Sequence, residues 1–230
     1  MAKRKIKAKQ KGAASKRRQR PSIPQLILDG AEELFARSGY AGTTTRAIAR
    51  RARMNVGQLH YYFESKRALF EAVVGRHGTQ ITETRRRLLR EAEAKWPRGD
   101  IPVEVLVEAL VRSLLLEATG SSAQRKASMQ MHGRLHTDPD DSASQARAAI
   151  YDDTTLAYVA AFRRALPKLP AKVVYWRVYF MMGAYVWTLL QPGRLETISH
   201  GECDPADMET AIQEIVPFLR AGLTAPVANY

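Results

Sequence analysis

The chain has 230 residues, 45% of them hydrophobic and 26% charged, and carries a formal net charge of +13. Such a chain can bury one large core or two modest ones. No apolar run is long enough to span a membrane, and the single cysteine, Cys203, rules out an intramolecular disulfide and fits a reducing cytoplasm. The charge is unevenly placed: Lys3, Arg4, Lys5, Lys7, Lys9, Lys11, Lys16, Arg17, Arg18 and Arg20 supply +10 with no acid among them, leaving +3 for the rest. Residues 1–22 lack the apolar content to fold and are expected to form a disordered basic arm. No apolar run follows those basic residues, so they do not read as a signal peptide.

Residues 23–76 hold the densest pattern. Ile48, Ala49 and Ala52 form an apolar stripe three to four residues apart, in a short helix that Thr44 or Thr45 can open. Asn55 is a good N-cap for the next helix, and Gln58 three residues on can complete a capping box. Leu59 and Phe63, four apart, point inward together. Val56, Gly57, Gln58, His60, Tyr61 and Tyr62 then face outward, so hydrogen-bonding and aromatic groups stand where charge is usual. Ser65 opens a third helix. Two short helices around a tight turn, with a polar and aromatic outer face on the second, make a helix-turn-helix that reads a DNA groove. Periodicity alone is equally compatible with plain core packing.

The segment from Ile23 to Val74, with Ile27, Ala31, Leu34, Phe35 and Gly39-Tyr40 leading into TTTRAIARRA, LHYYFESK and then Leu69-Phe70, resembles the DNA-binding domain of TetR-family transcriptional regulators. It departs from the family pattern at Arg53, where the turn usually has glycine. The resemblance implies that Thr45 and Lys66 hold phosphates, with Arg46 a further phosphate candidate and Thr44 and Asn55 also among the DNA-binding residues. It implies that Val56, Gly57, Gln58 and His60 face the major groove, Gln58 reading adenine and Val56 touching a thymine methyl. Tyr61 and Tyr62 would add backbone or base contacts. The basic arm would lie along DNA and add salt-sensitive, non-specific affinity. A solubilising tail, or one that binds RNA or anionic lipid, is its alternative.

Beyond Val74 the segments lengthen, and His77-Gly78 reads as an interruption before a helical domain over residues 77–222, with a short tail at 223–230. Helices are expected over 79–95, 103–119, 124–136, 142–166, 171–191 and 205–221. The run LPKLPAKVVYWRVYFMMGAYVWTLLQ, followed by IVPFLRAGL, resembles the TetR subgroup that contains fatty-acid-responsive repressors. Trp176, Phe180, Met181, Gly183, Ala184 and Trp187 make a helix apolar nearly all round, which must be buried on more than one side. The family packs such helices from two subunits together, so the resemblance implies a homodimer and a pseudo-palindromic operator. It also implies an inducer cavity among Leu110, Leu114, Met129, Met131, Leu135, Tyr158, Phe162, Trp176, Phe180 and Met181. Arg177 is the candidate to meet a carboxylate or phosphate.

His132 and His136, four apart, suggest a metal site only weakly, and no cofactor is expected. No phosphate-cradling glycine loop, nucleophile motif or metalloprotease signature points to an enzyme. The expected protein is all-helical and cytoplasmic: a dimeric regulator released from double-stranded operator DNA by a small inducer, by resemblance a fatty acid or acyl-CoA. The alternatives are a non-specific nucleic-acid binder driven by its tail, and a regulator of the same fold controlled by a protein partner.

Overall fold

A computed structural model describes residues 21–115, 122–190, 192–204 and 206–227, and the described residues contain helices and no strands. The basic arm lies outside them except for its last two residues.

Helix α1 (Ile23–Gly42) starts at a capping box, in which the Ser22 amide donates to Gln25 Oε1 at 2.8 Å and the Gln25 amide donates to the Ser22 hydroxyl. Helices α2 (Thr45–Arg51) and α3 (Val56–Tyr62) follow. Ile27, Ala31, Phe35, Ile48, Ala49 and Leu59 are essentially inaccessible and pack with Leu69, Phe70 and Val73 of α4 (Lys66–Lys95) as the N-terminal part of one apolar core. Phe70 meets Phe35 edge-on at 4.9 Å and Tyr40 at 5.0 Å. Such aromatic pairs add stability beyond their buried area.

The expected interruption at His77-Gly78 is absent. Helix α4 runs unbroken through 30 residues, so a boundary after residue 76 falls inside a helix. Gly78 has a packing role there. A Cβ on it would stand 2.7 Å from Ile150 Cγ2 and 2.9 Å from Tyr151 Oη, so glycine lets α4 approach α7 (Asp141–Ala165) closely.

The remaining helices are α5 (Val103–Leu115), α6 (Ser122–Thr137), α8 (Ala171–Leu190), α9 (Pro192–Ile198) and α10 (Met208–Thr224). Helix α9 lies where the sequence reads as a break, because its proline opens the helix, a position at which the missing N–H loses no bond. Helix α10 starts at the Asp207 cap, later than the Asp204-Pro205 start expected. Helix α4 packs against α5 and α7, while α10 covers α5 and α8. Two ion pairs tie α5 to α10: Arg112 to Glu209 at 3.2 Å and Arg220 to Glu104 at 2.9 Å.

Helix α6 packs on α1 and so joins the two ends of the molecule. The junction centres on Gly39, which breaks α1 with φ 69° and ψ −179°. The next amide, of Tyr40, donates to Asp138 Oδ2 at 2.9 Å. Thr43 Oγ1 donates to the Gly39 carbonyl at 2.8 Å.

Candidate nucleic-acid interface

Helices α2 and α3 are short, and their caps determine where each begins. Thr44 is the cap of α2, its hydroxyl accepting the Ala47 amide at 3.2 Å, so Thr45 is the first helical residue. The turn closes with a six-to-one bond from the Met54 amide to the Ala49 carbonyl and a tighter one from Arg53 to Arg50. This pattern requires a left-handed residue between them, and Arg53 supplies it at φ 58°. A non-glycine residue there is mildly strained. Arg53→Gly should therefore raise stability by about 0.5–1 kcal/mol. Urea unfolding checks this, and a lower midpoint would contradict it.

Asn55 caps α3 as a full capping box, with the Gln58 amide donating to Asn55 Oδ1 at 2.8 Å and the Asn55 amide to Gln58 Oε1 at 3.1 Å. The second bond matters for base reading. With Oε1 engaged at the helix start, two-point contact with adenine requires Gln58 to give up its cap.

On the outer face, Gly57, Gln58, His60, Tyr61 and Tyr62 are exposed, Tyr61 at 83%. Tyr61 stands edge-on to Tyr62 at 5.1 Å. Val56 differs from expectation: it is half-buried against the core, so only part of it faces outward. A groove of ≈ 310 Å³ beside α3 is lined by Ile23, Leu26, Ala52, Arg53, Met54, Gln58 and the two tyrosines. Around it Arg46, Arg50 and Arg53 are exposed and, among the described residues, form no ion pair. Arg51 is engaged by Glu33, its Nε donating at 2.9 Å.

Lys66, at the start of α4, is half-buried. Its Nζ donates to the Tyr40 carbonyl at 3.0 Å and the Thr43 carbonyl at 3.2 Å, and it lies 4.1 Å from the centre of the Tyr40 ring. It braces the end of α1 whatever else it touches.

The residues expected to surround an inducer divide into two groups. Leu110, Leu114, Met131, Leu135, Tyr158, Phe162 and Met181 are buried, and Met129 is half-buried against them. Trp176 and Phe180 stand on the opposite face of α8, exposed at 53% and 63%, with Tyr175, Tyr179 and Trp187. Their rings contact each other at 5.6 Å and do not point into the bundle. Helix α8 is therefore buried on one face within the chain, through Val174, Val178, Met181 and Tyr185. Arg177 donates to the carbonyls of Leu223 at 2.7 Å and Pro226 at 3.1 Å, closing the end of α10.

Of the polar cluster inside the bundle, sequence reasoning singled out only His132, and in another role. Arg85, Ser113, His132, Tyr151 and Thr154 are each less than a tenth exposed. The available signal was spacing: Arg85 falls on the stripe of Thr82, Leu89 and Ala92, although the run Arg85-Arg86-Arg87 reads as a solvated face. Burial holds the His132 ring well below the ordinary imidazole range, with the His136 and Arg85 charges adding to the effect. Burial likewise brings His136 down to about 4, helped by Arg147 and Arg85. No group of three or more metal-binding side chains occurs among the described residues.

Comparison with known proteins adds the following. Residues 27–73 match a model described as bacterial regulatory proteins, tetR family, and residues 108–222 match a tetracyclin repressor-like C-terminal domain. The HTH-type transcriptional regulator AcrR of Shigella flexneri is 34% identical over 107 residues, 46% of each chain. The HTH-type transcriptional repressor Rv3405c of Mycobacterium tuberculosis is 33% identical over 93 residues, 40% of this chain and 43% of that one. The chain thus spans less than half the length of these curated relatives. In fold, it is similar to a TetR-family transcriptional regulator from Bordetella parapertussis, with TM-score 0.61 and 21% identity over 90% of this chain and 98% of that one. It is also similar to the fatty acid degradation regulator FadR of Bacillus halodurans, with TM-score 0.51 and 13% identity over 90% and 99%.

Proposed function

Because the chain belongs to the TetR family of transcriptional regulators, we propose that it acts as a homodimer that occupies a pseudo-palindromic operator and blocks transcription there. It leaves the operator when a small apolar or acyl ligand enters its C-terminal domain. The observation that carries the DNA reading is the outer face of α3, where exposed hydrogen-bonding and aromatic groups are flanked by Arg46, Arg50 and Arg53 without acidic partners among the described residues. Cations left unpaired on a surface suit phosphates, and the helix between them suits base edges.

The dimer reading rests on the aromatic face of α8. Tyr175, Trp176, Tyr179, Phe180 and Trp187, with Phe218 of α10, are large apolar side chains left in water by the single chain. A contiguous patch of this kind marks an interaction surface, and a two-fold partner would cover it with its own copy. Release would be a population shift, in which the ligand prefers a conformation whose two α3 helices are wrongly spaced for the operator. No described helix is long and apolar enough to cross a membrane.

Selection from random duplexes at about 0.15 M salt, where non-specific attraction is partly screened, tests this reading. Enrichment of a two-fold motif is the expected result. No enriched motif would shift the function to sequence-independent binding through the basic arm. Tyr61→Ala is the sharpest variant, because its ring lies outside the core. We expect operator affinity to fall by about 1–3 kcal/mol with the unfolding midpoint unchanged, read by fluorescence anisotropy. Unaltered affinity would remove Tyr61 from the interface. Lys66→Ala is a poorer test, since it also removes a donor from two carbonyls at the end of α1.

A further inference from the structure

Among the described residues, the bundle interior holds a cation with no paired anion. Arg85 is 3% exposed. Its Nε donates to Ser113 Oγ at 3.0 Å, and that hydroxyl donates in turn to the Leu110 carbonyl at 2.7 Å. The guanidinium lies 5.9 Å from the centre of the Tyr151 ring. Among the described residues, its buried Nη2 has no hydrogen-bond acceptor and no carboxylate forms an ion pair with it. Its neighbours on the surface differ: Arg87 pairs with Glu91, and Arg112 with Glu108 and Glu209. A guanidinium cannot shed its proton, so a buried one without a counter-charge is strongly unfavourable.

A second idle group faces the same tyrosine. His132 is 6% exposed, with Nδ1 3.1 Å from Tyr151 Oη and Nε2 buried without a partner among the described residues. If Nδ1 accepts the tyrosine proton, Nε2 carries an unspent N–H. If Nδ1 donates instead, the tyrosine O–H is unspent. Either tautomer leaves a donor beside Tyr151 in addition to Arg85 Nη2. The buried residues on neighbouring turns, Leu110, Leu114, Met131 and Leu135, are apolar.

We propose that Arg85 is the anion-recognition residue of this domain, and that the ligand is an aliphatic monocarboxylic acid whose carboxylate meets Arg85 Nη2 and the His132–Tyr151 pair. The proposal rests on reading the domain as a ligand sensor. A planar carboxylate matches the guanidinium fork and carries one negative charge for one buried positive charge. A phosphate dianion would leave one charge uncompensated. Arg177, the sequence candidate for this role, is already held by two carbonyls.

Titration calorimetry on the full chain with straight-chain acids from acetate to decanoate, each beside its neutral primary amide, tests the proposal. We expect at least one acid to bind about 10- to 100-fold more tightly than its amide. Arg85→Met should bring the two to parity. Arg85→Lys, which keeps the charge but loses the fork, should retain part of the preference, and it serves if the methionine variant does not fold. Equal binding of acid and amide, an acid preference that survives both substitutions, or no binding by any acid would each overturn the proposal. Release of the selected duplex is then measured separately. Acid binding through Arg85 without release would keep the anion site and remove the sensor reading. Release by amides as readily as by acids would keep the sensor and remove the anion site.

Discussion

Replacing Gly39 with alanine should lower the stability of the protein by about 3 kcal/mol or more, the largest effect expected of any single methyl group here. Two independent terms act in the same direction. Gly39 has φ 69° with ψ −179°, a region open essentially to glycine alone, and forcing alanine into it costs about 1–3 kcal/mol. The new Cβ would also stand 2.6 Å from Asp138 Oδ2 and 2.9 Å from an Arg134 guanidinium nitrogen. Asp138 cannot retreat freely, because the same oxygen accepts the Tyr40 amide and its other oxygen accepts the Asp140 amide at 3.1 Å. Moving it would strand a part-buried N–H. Denaturant unfolding of the full chain checks the expectation. A loss below about 0.5 kcal/mol would mean that the junction relaxes around the methyl group.

Acidification should destabilise the C-terminal bundle well before most carboxylates titrate. His136 falls from an ordinary value of 6.5 to about 4 on folding, chiefly by burial, and His132 is displaced in the same direction. Below 6.5 the unfolded chain binds protons that the folded chain refuses. The stabilising contribution is therefore fully present above about pH 6.5 and is lost as pH falls toward 4. For His136 alone the loss between pH 7.5 and pH 5 is about 2 kcal/mol, and His132 adds to it. The positive charges that face the pair, Arg85 and Arg147, oppose protonation of the rings. Urea midpoints at pH 7.5 and pH 5 measure the effect, and His136→Leu should flatten the slope. A stability that does not change over this interval would contradict the burial of the two rings.

Much of the helix-turn-helix was legible because it is built from local rules. Caps at Thr44, Asn55 and Ser65 and inward residues four apart depend on nearest neighbours in the chain, and the structure has all of them. What was not legible depends on contacts between distant segments. Gly78 reads as a helix breaker until Ile150 and Tyr151 are placed against it. Arg85 reads as part of a solvated run until α5 and α7 close over it. The aromatic residues of α8 look like core on every side, because a sequence does not distinguish a face buried in its own chain from one left exposed. Val56 and Lys66 show the limit inside the site itself. A residue at the correct spacing for DNA can still be occupied, Val56 by the core and Lys66 by two carbonyls.

The unbroken α4 has the proportions of a lever, with Gly78, where Ile150 and Tyr151 of α7 stand against it, between its two ends. A helix tilts most readily about a point at which it is closely packed, and this point lies between Lys66 at one end and Arg85 on the other arm. At about 1.5 Å per residue the outer arm from Gly78 to Lys66 is about 18 Å and the inner arm to Arg85 about 10 Å. A rotation of about 5° would shift Lys66 by about 1.6 Å while moving Arg85 by less than about 1 Å. The longer outer arm moves further, so a sub-ångström adjustment in the interior would be magnified at the lysine that braces the end of α1.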